Sequence, residues 1–154
     1  VDEGVGMVIN TLKKHKIYEN TLIIFISDNG GIPNKGANNG ILRGEKGQNY
    51  EGGIRVPFLV SWPKFLPAGQ INSTPVISID IFPTVISAAG EDPKMLYPNL
   101  DGKNMLPSLL DPKTPHHEVL FWKIIIAGLS GTNIINSYIK KVRVSRECPW
   151  NSLI

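Results

Sequence analysis

Two short strings carry residue types suited to chemistry. The first is Ser27-Asp28-Asn29-Gly30-Gly31. Asp28 offers a carboxylate oxygen and Asn29 a carbonyl oxygen. Gly30 and Gly31 let the backbone bend away, so both side chains can turn toward one point. A pair of hard oxygen donors suits Ca²⁺ or Mg²⁺, whereas a histidine in place of Asn29 would favour zinc. The same residue types dominate ordinary turns, so a Gly-rich turn is the competing reading. The second string is Gly44-Glu45-Lys46-Gly47. A lysine between glycines can be brought close to an anion, its ammonium acting as a point charge. An exposed lysine on a loop is the alternative.

Other candidates carry less. Gly44 to Gly47 is not a P-loop, because no Gly-x-x-x-x-Gly-Lys-Ser/Thr occurs. Gly4-Val5-Gly6 begins like a dinucleotide fingerprint but sits in a helical pattern and lacks the third glycine. His116-His117 stands before Glu118. Neighbours on a strand point to opposite faces, which argues against a shared metal. His15, in the last turn of a helix, reads as a surface residue. No Gly-x-Ser-x-Gly elbow is present. Cys148, the single cysteine, can form no internal disulfide and no multi-thiolate zinc site.

The elements that must position these residues follow from hydrophobic periodicity. Val5, Val8, Ile9 and Leu12 fall at i, i+3, i+4 and i+7, which predicts an amphipathic helix over residues 2–16. Lys13, Lys14 and Lys16 suit the negative end of its dipole. Residues 21–27 are continuously apolar and rich in β-branched and aromatic side chains. That is the pattern of a strand covered on both faces, as in a parallel sheet flanked by helices. From residue 28 to 53 the chain is rich in glycine and asparagine, with little periodicity. A loop of that length in a compact domain is usually functional or disordered. It leaves the C-terminal end of a buried strand, where open α/β sheets place their ligands.

Residues 56–62 read as a second buried strand and 63–69 as a turn. Ser78 or Asp80 can cap a helix that ends at Ala89-Gly90, with Pro83 tolerated in its first turn. Residues 100–110 hold a short helix or turn, 118–122 a short strand, and 138–144 a further strand.

Composition bounds the classes. The chain has 154 residues, with 42% hydrophobic, 19% charged, 15 Gly and 12 Pro, and this excludes a disordered tail, a collagen-like chain and a coiled coil. No apolar stretch reaches the roughly 20 residues that span a bilayer. The net charge of +3 is scattered and forms no basic stripe with interleaved aromatics, so no nucleic-acid partner is expected. The chain begins at Val1, inside a helical pattern, and is expected to be a piece of a longer protein whose N-terminal part is missing.

Several strings together resemble the sulfatases of the alkaline-phosphatase-like superfamily. They are Val1 to Gly6, Asn20 to Gly31, Leu42-Arg43-Gly44-Glu45-Lys46-Gly47, Tyr50 to Pro57, Asp80-Ile81-Phe82-Pro83-Thr84 with Ala89-Gly90, and Asp101-Gly102 with Leu106, Leu109 and Leu110. They run in order over residues 1–122. The resemblance implies an α/β fold, a mostly parallel sheet flanked by helices, incomplete as given. Residues 1–122 would be the C-terminal part of the catalytic domain. Residues 123–154 would be a divergent tail that starts a small antiparallel subdomain; Val142-Arg143 and Trp150 echo the family pattern there only loosely.

The resemblance also implies an activity: hydrolysis of sulfate esters, of sulfated sugars or aryl sulfates. Asp28 and Asn29 would complete a Ca²⁺ site (Mg²⁺ fitting less well) begun by two earlier aspartates, and the catalytic Lys46 would contact the sulfate. The family nucleophile is a formylglycine made within Cys/Ser-x-Pro-x-Arg. That motif is missing here: Ser61-Trp62-Pro63-Lys64-Phe65 has Phe65 where Arg is required. The formylglycine is therefore expected upstream, and the fragment alone should be inactive. Family members of this kind point to a secreted, periplasmic or lysosomal setting. Two alternatives stand: a phosphoryl hydrolase or transferase on the same scaffold, and a non-catalytic anion- or glycan-binding piece.

Overall fold

The computed structural model describes residues 1–123, 134–136 and 142–144. The N-terminal amphipathic pattern forms α1 (Asp2–Lys14), with Asp2 and Glu3 in its first turn and Lys13 and Lys14 in its last, as the helix dipole favours. His15 follows it and is exposed. The apolar run becomes β1 (Ile23–Ile26), and Val56 to Trp62 yields β2 (Phe58–Ser61). Between them lies the glycine-rich loop, which ends in the single-turn helix α2 (Glu51–Ile54). The chain continues through β3 (Gln70–Asn72), a 3-10 turn at Ser78–Asp80, and α3 (Ile81–Ala88). Then come α4 (Pro93–Leu96), α5 (Leu106–Leu110), β4 (Phe121–Lys123), β5 (Ile134–Asn136) and β6 (Val142–Val144). Among the described residues no helix is long and apolar enough to cross a membrane.

The strands form a four-stranded sheet in the order β1-β2-β6-β3 and a two-stranded sheet of β4 and β5. The α/β class stands, with a correction to strand direction. Among the described residues only β2 and β6 pair in parallel; β1 pairs antiparallel with β2, from Ile23 opposite Ser61 to Ile26 opposite Phe58, and β3 pairs antiparallel with β6. The reason lies in the connection. A parallel neighbour requires the chain to cross back to the opposite end of the sheet. Here the long loop stays at the end where β1 exits: Ser27 N–H donates to Pro57 O at 3.4 Å, so β2 starts beside the point where β1 stops and must run the other way. A second correction concerns cover. β1 is half-buried along its length, whereas all four residues of β2 are buried. β1 is the outer strand of the described sheet, and a cavity of about 320 Å³ separates it and β2 from Val5, Val8 and Ile9 of α1. The expected division at residue 122 concerns a tail that lies mostly outside the described residues.

The core lies on one face of β1 and β2, where Phe58, Val60, Trp62, Leu66, Val76, Met105 and Leu109 cluster with Ile24, Ile26 and Ile81 packed against them. Two buried polar groups tie the helices to it. Asn72 of β3 donates to Ser108 O in α5 at 2.5 Å. Thr84 Oγ1 donates to Asp80 O at 2.6 Å and accepts from the N–H of Met105 at 2.9 Å, with both Thr84 and Met105 fully buried. Thr84→Val keeps the shape but leaves the Met105 N–H without a partner, which costs about 1–3 kcal/mol. Urea unfolding should show a lower midpoint for this variant at unchanged slope; an unchanged midpoint would contradict the bridging role.

Candidate functional site

The glycine-rich loop folds by backbone contact. Gly30 N–H donates to Gly53 O at 2.9 Å, and Gly52 N–H donates to Arg43 O at 2.7 Å. These approaches leave no room for side chains. A Cβ on Gly30 would lie 1.7 Å from Gly52 O, and one on Gly52 would lie 2.1 Å from Gly44 O. Asn39 closes the other side: its Oδ1 accepts from Gly31 N–H at 2.9 Å, and its Nδ2 donates to Gly31 O at 3.0 Å and to Gly44 O at 3.1 Å. The segment that carries Lys46 is thereby held against the segment that carries Asp28 and Asn29.

The turn around Lys46 depends on backbone conformation. Gly44 and Gly47 take φ of +88° and +87°, the left-handed region that glycine enters without a Cβ penalty. Lys46 N–H then donates to Gly31 O at 3.3 Å, two residues beyond Asn29. Arg43 braces the loop from outside, its guanidinium 3.9 Å from the Tyr50 ring centroid and 3.0 Å from the Tyr50 hydroxyl.

Asp28 is exposed and Asn29 half-buried at the exit of β1. Ser27 Oγ donates to Asn29 O at 3.0 Å, and Asn29 Nδ2 donates to Asp28 Oδ2 at 2.5 Å, so the two side chains lie together. The set they offer is one carboxylate and one amide oxygen, without His or Cys, which fits a hard cation. It is two of the roughly six to eight oxygens Ca²⁺ takes, so further ligands would come from elsewhere. Asp28, Asn29 and Lys46 all line one cavity of about 330 Å³, which also touches Gln48, Ile77, Ser78 and Trp122. Lys46 is exposed, its ammonium free to meet an anion in that space.

The histidine pair behaves differently from its sequence reading. β4 starts at Phe121 rather than Glu118, so His116 and His117 lie in irregular chain and both rings turn to one carboxylate. His116 Nε2 is 3.0 Å from Asp80 Oδ2, and His117 Nε2 is 2.8 and 2.9 Å from the two Asp80 oxygens. Pro112 and Pro115, close before the pair, are the signal that no strand begins there. Asp80, fully buried, also accepts from Lys103 N–H at 2.8 Å and Ile77 N–H at 3.0 Å. Burial raises its carboxyl, but His116, the N–H groups of Lys103 and Ile77, and His117 outweigh this and hold it below the ordinary value. An ionised carboxylate only accepts, so both imidazoles present Nε2–H to it.

Among the described residues, Asp80, His116 and His117 are the one group of three such donors close enough to hold a metal, their atoms within 4.8 Å of one another. With both oxygens already taking backbone and imidazole donors, the group is complete as a clasp that ties the 3-10 turn before α3 to residues 103 and 116–117.

Comparison with known proteins decides the family. The sulfatase family model matches residues 1–91. The chain belongs to the sulfatase family. It is 35% identical over 155 residues to mouse steryl-sulfatase, covering 93% of this chain and 22% of that protein. Human steryl-sulfatase is 40% identical over 131 residues, covering 79% and 22%. Pig N-acetylgalactosamine-6-sulfatase is 32% identical over 127 residues, covering 80% and 24%. A solved structure, Ps i-CgsB in complex with k-i-k-neocarrahexaose, matches 88% of this chain and 30% of its own, at 44% identity and a TM-score of 0.78. The alkaline-phosphatase-like α/β class expected from the sequence is the class of this neighbour. The chain spans less than a quarter of the length of these named sulfatases.

Within the sulfatase fold, the contact of Gly30 on Gly52 is the point at which the two loops are most sensitive. Gly30→Ala should separate them, at a cost of about 1–3 kcal/mol, and abolish slow hydrogen exchange at the Gly30 and Lys46 amides. Gly4→Ala, with nothing within 4 Å of its added Cβ, should leave both unchanged. Retained protection in Gly30→Ala would contradict the packing described.

Proposed function

We propose that this chain supplies the sulfate-binding half of the active site of a sulfate-ester hydrolase. One observation carries the reading. Asp28 and Asn29 at the exit of β1 and Lys46 in a separate loop line a single cavity, and Lys46 N–H bonds to Gly31 O across the junction. Asp28 and Asn29 would be two of the ligands of a Ca²⁺ ion, which when bound offsets negative charge on sulfate oxygens as the ester bond breaks. Lys46 sets its ammonium against a non-bridging oxygen of the same sulfate. Because the glycine contacts fix its backbone beforehand, little reorganisation accompanies the gain of charge, which is the usual source of electrostatic rate enhancement.

The nucleophile lies outside these residues in this reading. Ser61, the serine of Ser61-Trp62-Pro63, is buried in β2 with 8% exposure and cannot serve as an accessible modification site. The formylglycine implied by the family resemblance would come from a segment of the same protein that is not among the 154 residues, and this chain alone would not turn over. The reaction class follows from family membership. The organic part follows more coarsely: the named relatives include a steryl-sulfatase and an N-acetylgalactosamine-6-sulfatase, and the structural neighbour holds an oligosaccharide, all ring-bearing molecules. A sulfated sugar is the substrate class this supports. Asn29, an oxygen donor where zinc would favour histidine, speaks against a two-zinc phosphoryl hydrolase.

In the protein that carries this chain, Lys46→Met should lower kcat/KM for an aryl sulfate by about 100-fold or more, the scale of losing one charge-stabilising group. Asp28→Ala should lower the rate similarly and remove calcium dependence. Comparable rates for wild type and Lys46→Met, or turnover of phenyl phosphate in preference to the sulfate, would overturn the reading.

A further inference from the structure

The cavity that takes Asp28, Asn29 and Lys46 has both polar and apolar lining. Its polar residues include Asp28, Asn29, Lys46 and Gln48. Its apolar lining includes Ile54, Val56, Ile77 and two aromatic residues, Phe58, which is buried in the core, and Trp122, which is half-buried. Trp122 is half-buried in β4, opposite Ile135 of β5, and lines the cavity. The position is not left to a loose chain. Asp80 accepts from Ile77 N–H at 3.0 Å, and from His116 and His117 at 2.8–3.0 Å, six and five residues ahead of Trp122. One buried carboxylate thus ties Ile77 to the segment that leads into Trp122.

A sulfate ester has two parts to match such a lining: a charged head that the polar residues neutralise, and an organic group that must lie against something. We propose that Trp122 is the specificity-determining platform for that group, and that the group is a ring, either a pyranose or another flat-faced alicyclic alcohol. A tryptophan face gives a large, rigid apolar contact to a ring at small entropic cost. It gives little to a methyl group. A volume of about 330 Å³ lies at the lower end of what holds a small ligand, room for a sulfate and one ring. This inference rests on the sulfate-binding reading of Asp28, Asn29 and Lys46. Asp80 is a positioning residue in it, acting on the wall through His116, His117 and Ile77.

The test is calorimetric titration of the protein that carries this chain, with calcium present and its formylglycine precursor unconverted so that nothing turns over, against methyl sulfate and galactose 4-sulfate. Wild type should bind the sugar sulfate more tightly than methyl sulfate. Trp122→Ala should weaken galactose 4-sulfate by about tenfold, the scale of one aromatic contact, and leave methyl sulfate unchanged. Trp122→Phe, which keeps a ring and guards against a folding defect, should restore most of the loss. Lys46→Met should weaken both ligands together. If methyl sulfate binds but the sugar gains nothing over it, or if Trp122→Ala leaves their ratio unaltered, the platform is refuted while the sulfate site survives. If neither ligand binds wild type, the sulfate-binding reading fails and this inference falls with it.

Discussion

Two stretches of backbone meet where side chains would keep them apart. Gly30 lies against Gly52, and Gly52 lies against Gly44, each so close that a single methyl group would collide with a carbonyl oxygen. This contact brings the exit of β1 and the lysine loop together, because neither loop has a regular element to dock with. It has an energetic logic as well. A long irregular loop leaves backbone polar groups in need of partners, and here the glycines and Asn39 supply them to one another. The same packing directs the chain back to the end of the sheet it has just left. The antiparallel pairing of β1 with β2 is therefore a consequence of how the site is built.

The second organising group is Asp80. A buried carboxylate is costly unless fully paired, and this one is paired by two backbone N–H groups and two imidazoles. It joins three stretches of the chain: residues 77–80, Lys103, and the pair His116-His117. Thr84, one turn along α3, repeats the device with the Met105 amide. The layer behind the cavity is thus held by polar bonds inside an apolar core, while the cavity mouth is held by glycine backbone.

The sequence makes part of this plain. The spacing of Val5, Val8, Ile9 and Leu12 marks α1, and the apolar runs that become β1 and β2 stand out by length and β-branching. Asp28, Asn29 and Lys46 stand out because each sits among glycines just past a buried strand. These are local signals. Strand direction is not local: it depends on Gly30 meeting Gly52, two residues with nothing in their types to say so. The convergence of His116 and His117 on Asp80 is hidden for the same reason, since the partner lies 36 and 37 residues away. Reading those histidines as a strand pair assigned them to opposite faces, although Pro115 beside them argues for irregular chain. Trp122 reads as a strand residue and nothing more until the cavity is seen.

Binding linkage in the protein that carries this chain tests the central claim most directly, namely that Asp28, Asn29 and Lys46 act on one oxyanion. Two ligands that touch must alter each other's affinity by the same factor. Calcium affinity measured by titration should rise when inorganic sulfate is present, sulfate affinity should rise equally with calcium, and Lys46→Met should leave calcium affinity intact without sulfate while weakening the sulfate-bound complex. Calcium and sulfate that bind independently of each other, or calcium affinity that is the same in wild type and Asp28→Ala, would contradict the account.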